Sequence, residues 1–248
     1  MKHTILFLIA TIFAVKGYSQ TEEANAIKIL NETIKKDPKN SELLYLRGVF
    51  FSESKQCDSA VIYFTAALKY LKAQINKSVF RDEKLVDSLD IIYNRAYCYD
   101  LLNSIEKCVS DYRYLQSVKP ADFMYSIAVA RLYIKHKEFL KAQSEIDSLK
   151  YFLENERGLV YQSILFYEQE KYEDGLAAVN VALSKYPNSI EGLVTKVKIL
   201  GKLKRDEEAC NTIKDAKLKV TLEYFGGERG YQRDFVEEIE QLRAKYCK

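Results

Sequence analysis

The chain has no tryptophan, three prolines, nine glycines and two histidines in 248 residues. With so few turn formers, and with leucine, lysine, glutamate, alanine and tyrosine dominating, composition favours helix over strand. No low-complexity tract and no block of like charge is present. Hydrophobic residues make up 48%, which excludes wholesale disorder and supplies a sizeable core. Histidine scarcity leaves His136, in "YIKHKEF", as the one imidazole beyond the first few residues, and its place at a turn predicts solvent exposure. No H-E-x-x-H, C-x-x-C, phosphate-binding loop or G-x-S-x-G occurs. Acidic pairs such as Glu22-Glu23, Glu207-Glu208 and Glu237-Glu238 are adjacent, and adjacent residues do not face each other on a helix. They read as solvated charge. Catalysis, cofactor binding and metal binding therefore have no candidate constellation, and the expectation is a protein without enzymatic activity or cofactor.

Long apolar runs are also missing. The longest, Ile5 to Val15, is too short for a membrane span, which needs about twenty residues. It follows Lys2 and precedes Gly17-Tyr18-Ser19, the order of a secretory leader over 1–19, with the mature chain starting near Gln20. The expectation is export to the periplasm or exterior, with no membrane insertion after leader removal. Without Lys2 and Lys16 the 38 basic residues fall to 36, against 35 acidic. That balance carries no nucleic-acid footprint.

What is present is repetition. From Gly48, Leu44 lies four residues before, Phe51 three after, Ala60 twelve after, Phe64 sixteen after and Ala67 nineteen after. The same offsets from Ala96 give Ile92, Tyr99, Cys108, Tyr112 and Leu115, with Pro120 at twenty-four. Further registers hold Ala130, Tyr133, Ala142, Ile146 and Leu149; then Ser163, Phe166, Gly175, Val179, Ala182 and Pro187; then Val197, Leu200, Ala209, Ile213 and Ala216. This resembles the tetratricopeptide repeat, with a small residue at position 8, an aromatic at 11, alanine at 20, an aromatic at 24 and proline at 32. Registers start at Ser41, Leu89, Phe123, Glu156 and Ile190, and three of the four steps are 34, 33 and 34 residues, close to the family period of 34. Pro38, Pro120 and Pro187 each lie three residues before a start. Tryptophan is absent at position 4 throughout, and position 8 is glycine only at Gly48.

The resemblance implies an all-α, right-handed solenoid of about five helix hairpins. It would comprise a partial repeat at 24–40, repeats at 41–74, 89–122, 123–155, 156–189 and 190–217, and a capping helix within 218–248. Small residues let the two helices of a hairpin approach, and large residues at 11 and 24 are expected to fill between hairpins. The 75–88 segment is an insertion, read either as a lengthened rim or as a partner-binding loop. "GGERG" at 226–230 reads as a loop before the cap, because no strand precedes it. Two readings stand for the cysteines: small buried side chains, or disulfides Cys98–Cys108 and Cys210–Cys247 with Cys57 left over.

In the family, positions 2, 5, 9, 12 and 13 of the first helices face the inner side. Carried over, the resemblance points to Tyr45, Val49, Tyr93, Tyr97, Ile127, Arg131, Ile164, Tyr167 and Lys198 as a partner-binding groove. The alternative is that Tyr45, Tyr93 and Tyr97 pack between repeats. A lysine/asparagine carboxylate clamp at positions 5 and 9 of the first repeat is absent, because Tyr45 and Val49 stand there. The expected function is a non-catalytic scaffold for a protein or peptide in the cell envelope. The alternative is an accessory subunit of an envelope enzyme or secretion machine, docked through 75–88.

Overall fold

The computed structural model describes residues 20–75, 87–153, 156–214 and 231–247. The expected 1–19 leader, nearly all of the expected 75–88 insertion and the 226–230 run lie outside the described residues. Every regular element among the described residues is an α-helix. They are α1 (Gln20–Lys36), α2 (Ser41–Glu53), α3 (Cys57–Ile75), α4 (Ser88–Leu101), α5 (Ile105–Val118), α6 (Met124–Lys135), α7 (Phe139–Leu153), α8 (Glu156–Glu168), α9 (Tyr172–Lys185), α10 (Ile190–Lys202), α11 (206–214) and α12 (Tyr231–Tyr246). The chain divides into two compact units, Met1–Asp122 and Phe123–Lys248.

Local chemistry sets the helix starts. Pro38, Pro120 and Pro187 stand in the turns that separate hairpins, where a missing N–H costs nothing. Asn40 Oδ1 accepts from the Glu42 and Leu43 amides at 3.1 Å, capping α2. Asp87 caps α4 through Leu89 N, and Ser189 caps α10 through Gly192 N. Each such cap contributes about 1 kcal/mol.

Within a hairpin the helices turn on one repeated device. Lys55, Asn103, Lys137, Glu170 and Lys204 all adopt positive φ, between 53° and 62°. Each sits at position 15 of its register. In each case its own amide bonds three residues back and the next amide bonds five residues back, as in Lys137 N to Ile134 O and Glu138 N to Tyr133 O. That double bond is a Schellman turn, which satisfies carbonyls otherwise left open at a helix end.

Each hairpin closes where positions 8 and 20 meet, and all ten residues there are buried. Ser163 Oγ donates to Gly175 O at 2.8 Å, and the Cys108 thiol donates to Ala96 O at 3.3 Å. Ala130 meets Ala142 in a hairpin core that also holds Ile134 and Ile146. At Gly48 the Phe64 ring lies directly over the glycine. Phe64 therefore fills its own hairpin first, rather than the space between hairpins expected from its register. The ring also reaches the core shared with Ile91 of α4. Phe51 is half-buried and stacks on Tyr63 with centroids 5.4 Å apart.

In the first unit α2 packs on α3, α3 on α4 and α4 on α5. Arg95 crosses three helices: its Nε and Nη2 donate to both Asp111 carboxylate oxygens at 2.8 and 2.7 Å, and its Nη1 donates to Thr65. Arg47 holds the same register position one repeat earlier. Tyr63 stands there in place of the aspartate, and Arg47 lies over Phe50 and Phe51 instead.

In the second unit α6 to α10 stack in the same manner, and α12 covers the last hairpin. Ile239 is buried against Val197, Leu200, Ala209 and Ile213, with Leu242 and Tyr246 beside it. Gly201 makes this docking feasible, since an added Cβ would lie 2.0 Å from the Tyr246 hydroxyl. Cys210 and Cys247 are joined in a disulfide that ties the end of α12 to α11.

Cys98 and Cys108, by contrast, are not joined in a disulfide, and both are buried. The expected bond between them does not form because they face different ways. Cys108 points at Ala96 across its own hairpin, whereas Cys98 sits two residues beyond Ala96, about 200° around the helix. Its thiol donates to Ser52 Oγ of the preceding hairpin at 3.3 Å. His136 also departs from expectation: it is half-buried, and its Nε2 is enclosed without a hydrogen bond.

Candidate functional site

The residues assigned to a groove divide between the two units, and each unit presents its own surface. In the first unit Tyr45 is half-buried, its ring 5.9 Å from Phe64. Asn94 Nδ2 donates to the Tyr45 hydroxyl at 3.3 Å and to Asp90 O at 2.8 Å. Burial first, and the Asp90 charge second, push the Tyr45 phenol above its ordinary range. Val49 is half-buried against the same core. Both residues thus pack as well as border the surface.

Helix α4 is different. Tyr93 and Tyr97 are 46% and 43% exposed, and Leu101 is 45% exposed. Their spacing of four residues puts them on one face. Tyr93 is held by an edge-to-face contact with Tyr112 of α5, centroids 6.2 Å apart. A ring fixed on one edge and open on the other presents an apolar body and a polar tip with little entropy left to lose. Asp90 and Asp100 lie on the same helix.

In the second unit Ile127 is a correction. It is only 6% exposed and belongs to the core formed with Ala130, Ile134, Tyr161 and Leu165. Helix α8 covers it, so it does not reach a ligand. Arg131, one turn on, is exposed. Ile164, Tyr167 and Lys198 come together with Glu168, Glu191, Val194, Thr195 and Glu238 around a cleft of about 120 Å³. Helices α8 and α10 form two sides and α12 the third. Tyr161 donates to Glu191 Oε1 at 2.9 Å, and Thr195 donates to the Glu191 carbonyl at 2.8 Å. Lys198 is paired with Glu238 of α12.

That pairing sets the electrostatics of the cleft. Lys198 is neutralised, and the cleft holds three carboxylates against one ammonium. Glu238 was not legible as a site residue, because nothing in its own segment marks which hairpin α12 meets. The only available signal was the lysine it answers. No three His, Cys, Asp or Glu side chains among the described residues are placed to hold a metal ion, and none of their helices is long and apolar enough to cross a membrane.

The fold is that of tetratricopeptide-repeat proteins. A tetratricopeptide repeat protein from Parabacteroides merdae superimposes with a TM-score of 0.58 at 18% identity, over 88% of this chain and 92% of its own. The C-terminal part of a TPR repeat-containing protein from Cytophaga hutchinsonii gives 0.59 at 12% identity, over 98% and 87%. The Cut9–Hcn1 hetero-tetramer of APC/C gives 0.55 at 11%, over 89% of this chain and 44% of that one. No protein-family model and no curated protein sequence matches the chain. At these identities the likeness establishes the fold and leaves function to the surfaces.

Proposed function

We propose that this chain is an exported, non-catalytic scaffold that binds a protein or peptide segment on the inner faces of its first helices. The observation that carries the proposal is the α4 face, where Tyr93, Tyr97 and Leu101 stand in line and nearly half exposed. Tyrosine is a favoured interface anchor, since it buries a large ring and keeps a hydroxyl for a partner. A segment of extended chain or one helix face suits a stripe of this kind. The fold supports the same reading, because a similar structure occurs in a hetero-tetramer with a second protein. Export is supported by the leader-like order of 1–19 and by the Cys210–Cys247 bond, which suits an oxidising compartment.

Affinity capture from an envelope extract, followed by titration with the captured partner, tests this. Each tyrosine anchor removed costs about 1–2 kcal/mol, so Tyr93→Ala/Tyr97→Ala weakens binding by at least about 30-fold. The helical circular dichroism should stay unchanged, since neither ring is a core residue. Full affinity in the double variant, with the fold intact, refutes the assignment of α4.

A further inference from the structure

Cys57 and Cys98 meet in the core of the first unit. Cys57 opens α3 and Cys98 lies in the last turn of α4, two helices that pack together. Both are buried, at 3% and 0% exposure, in one cluster with Leu44, Phe64 and Ile91. The Cys98 thiol is aimed at the α2–α3 turn, as its bond to Ser52 Oγ shows. Cys57 begins α3 immediately after that turn, in the same buried cluster as Cys98. Two thiols buried together, one opening a helix and the other in the last turn of the helix packed on it, are placed for the close Cα approach a disulfide requires. Cys108 is held elsewhere, on Ala96 O.

We propose that Cys57 and Cys98 form a second disulfide when the chain folds in the presence of a disulfide oxidant, leaving Cys108 as the single reduced cysteine. This resolves the odd count of five: Cys210–Cys247, Cys57–Cys98 and one thiol. It goes beyond the scaffold reading and does not depend on it.

The chemistry is ordinary exchange. With oxidised glutathione, the thiolate of one cysteine attacks a glutathione sulfur, breaks its S–S bond and releases one glutathione. The second protein thiolate attacks the protein sulfur of the mixed disulfide and releases the other. Two electrons pass from the protein sulfurs to the oxidant, and the two thiol protons end on two glutathione thiols. Access sets the timing. In the folded reduced protein both sulfurs are shut from solvent, and burial, with the neighbouring Cys98 thiol next, pushes the Cys57 thiol up to about 12. The bond therefore enters during folding, while α3 and α4 are still parting and meeting, and afterwards is sealed in.

Full-length protein, reduced and denatured, is refolded in a buffer of reduced and oxidised glutathione until its helical signal returns. It is then quenched in acid, alkylated in denaturant, digested without reduction and mapped by mass spectrometry. The expected map joins the Cys57 and Cys98 peptides, two hydrogens lighter than their sum, with alkylation confined to Cys108. Cys57→Ala should leave Cys98 and Cys108 both alkylated. Alkylated Cys57 and Cys98 beside an intact Cys210–Cys247 link overturns the proposal. A Cys98–Cys108 or Cys57–Cys108 link in place of Cys57–Cys98 overturns it as well.

Discussion

Replacing Gly48 with alanine sets two effects of opposite sign against each other. In an unconstrained helix interior the change stabilises by about 1 kcal/mol, because alanine loses less backbone freedom than glycine. Here the new Cβ would lie 2.5 Å from Phe64 Cε1, 2.6 Å from Cδ1 and 3.2 Å from Cγ. Carbon atoms prefer about 3.5–4.0 Å, so the ring would have to retreat by roughly 1 Å. Phe64 is fully buried between α2, α3 and α4, with Leu44, Leu71 and Ile91 around it. Close-packed interiors offer little space for such a shift. Overpacking costs about 1–3 kcal/mol, and overlap with two ring atoms places this site at the upper end. The net expectation is a loss of about 2 kcal/mol. Urea unfolding followed by far-UV circular dichroism reads it as a lower midpoint at unchanged slope. In a Phe64→Leu background the obstructing ring is gone, and the same glycine change should cost at least about 1 kcal/mol less. Stabilisation by Gly48→Ala, or an equal cost in both backgrounds, would refute the contact as the reason for the glycine.

Glu170→Gly should stabilise by about 0.5–1 kcal/mol, because a side chain at φ 62° carries a left-handed penalty that exceeds glycine's extra unfolded-state entropy. Asn103→Gly, at φ 53°, should change little, since asparagine tolerates this region; equal gains at both sites in urea melts would contradict the account. The raised Tyr45 phenol predicts a pH dependence: its folded value lies above the ordinary 10.0, so its contribution is complete below that pH and is lost as pH rises through the folded value. Urea midpoints across that range should therefore fall faster in the wild type than in Tyr45→Phe, and parallel curves would show a phenol that titrates as in the unfolded chain.

The hairpin interior was legible in the sequence because packing forces a period on it. Residues at 8 and 20 are buried in every copy, so each is kept compact, and Gly48, Ala96, Ala130, Ser163 and Val197 keep that register without one shared identity. The turns were not legible. Lys55, Lys137, Glu170 and Lys204 adopt a conformation usually signalled by glycine, yet none is glycine. Two backbone hydrogen bonds impose the turn, and backbone groups leave no trace in residue type. Of the two expected disulfides Cys210–Cys247 is present, and Cys98–Cys108 failed for a different reason. Cys98 and Cys108 flank one turn, but the decisive variable is the angle around the helix: Cys108 faces Ala96, and Cys98 faces the previous hairpin.

A different variable, side-chain length, decides which of the groove assignments hold at position 5. Position 5 is occupied by Tyr45, Tyr93, Ile127, Val160 and Val194. The last three are buried in the second unit, at 6%, 1% and 2% exposure, and the two tyrosines are not. The backbone position is equivalent, so side-chain length makes the difference. A branched side chain ends beneath the neighbouring helix, whereas a tyrosine ring extends past it to the surface. Position 9, one turn on, stays at least partly accessible in every copy, as Val49, Tyr97, Arg131, Ile164 and Lys198. The family register therefore identifies position 9 as surface by geometry alone, and position 5 as surface only where the residue is long enough. Among the five hairpins, only α4 places a tyrosine at both. A ligand that reads the inner faces of these helices would find its largest apolar area there, which is why Tyr93 and Tyr97 carry the functional proposal and Ile127 does not.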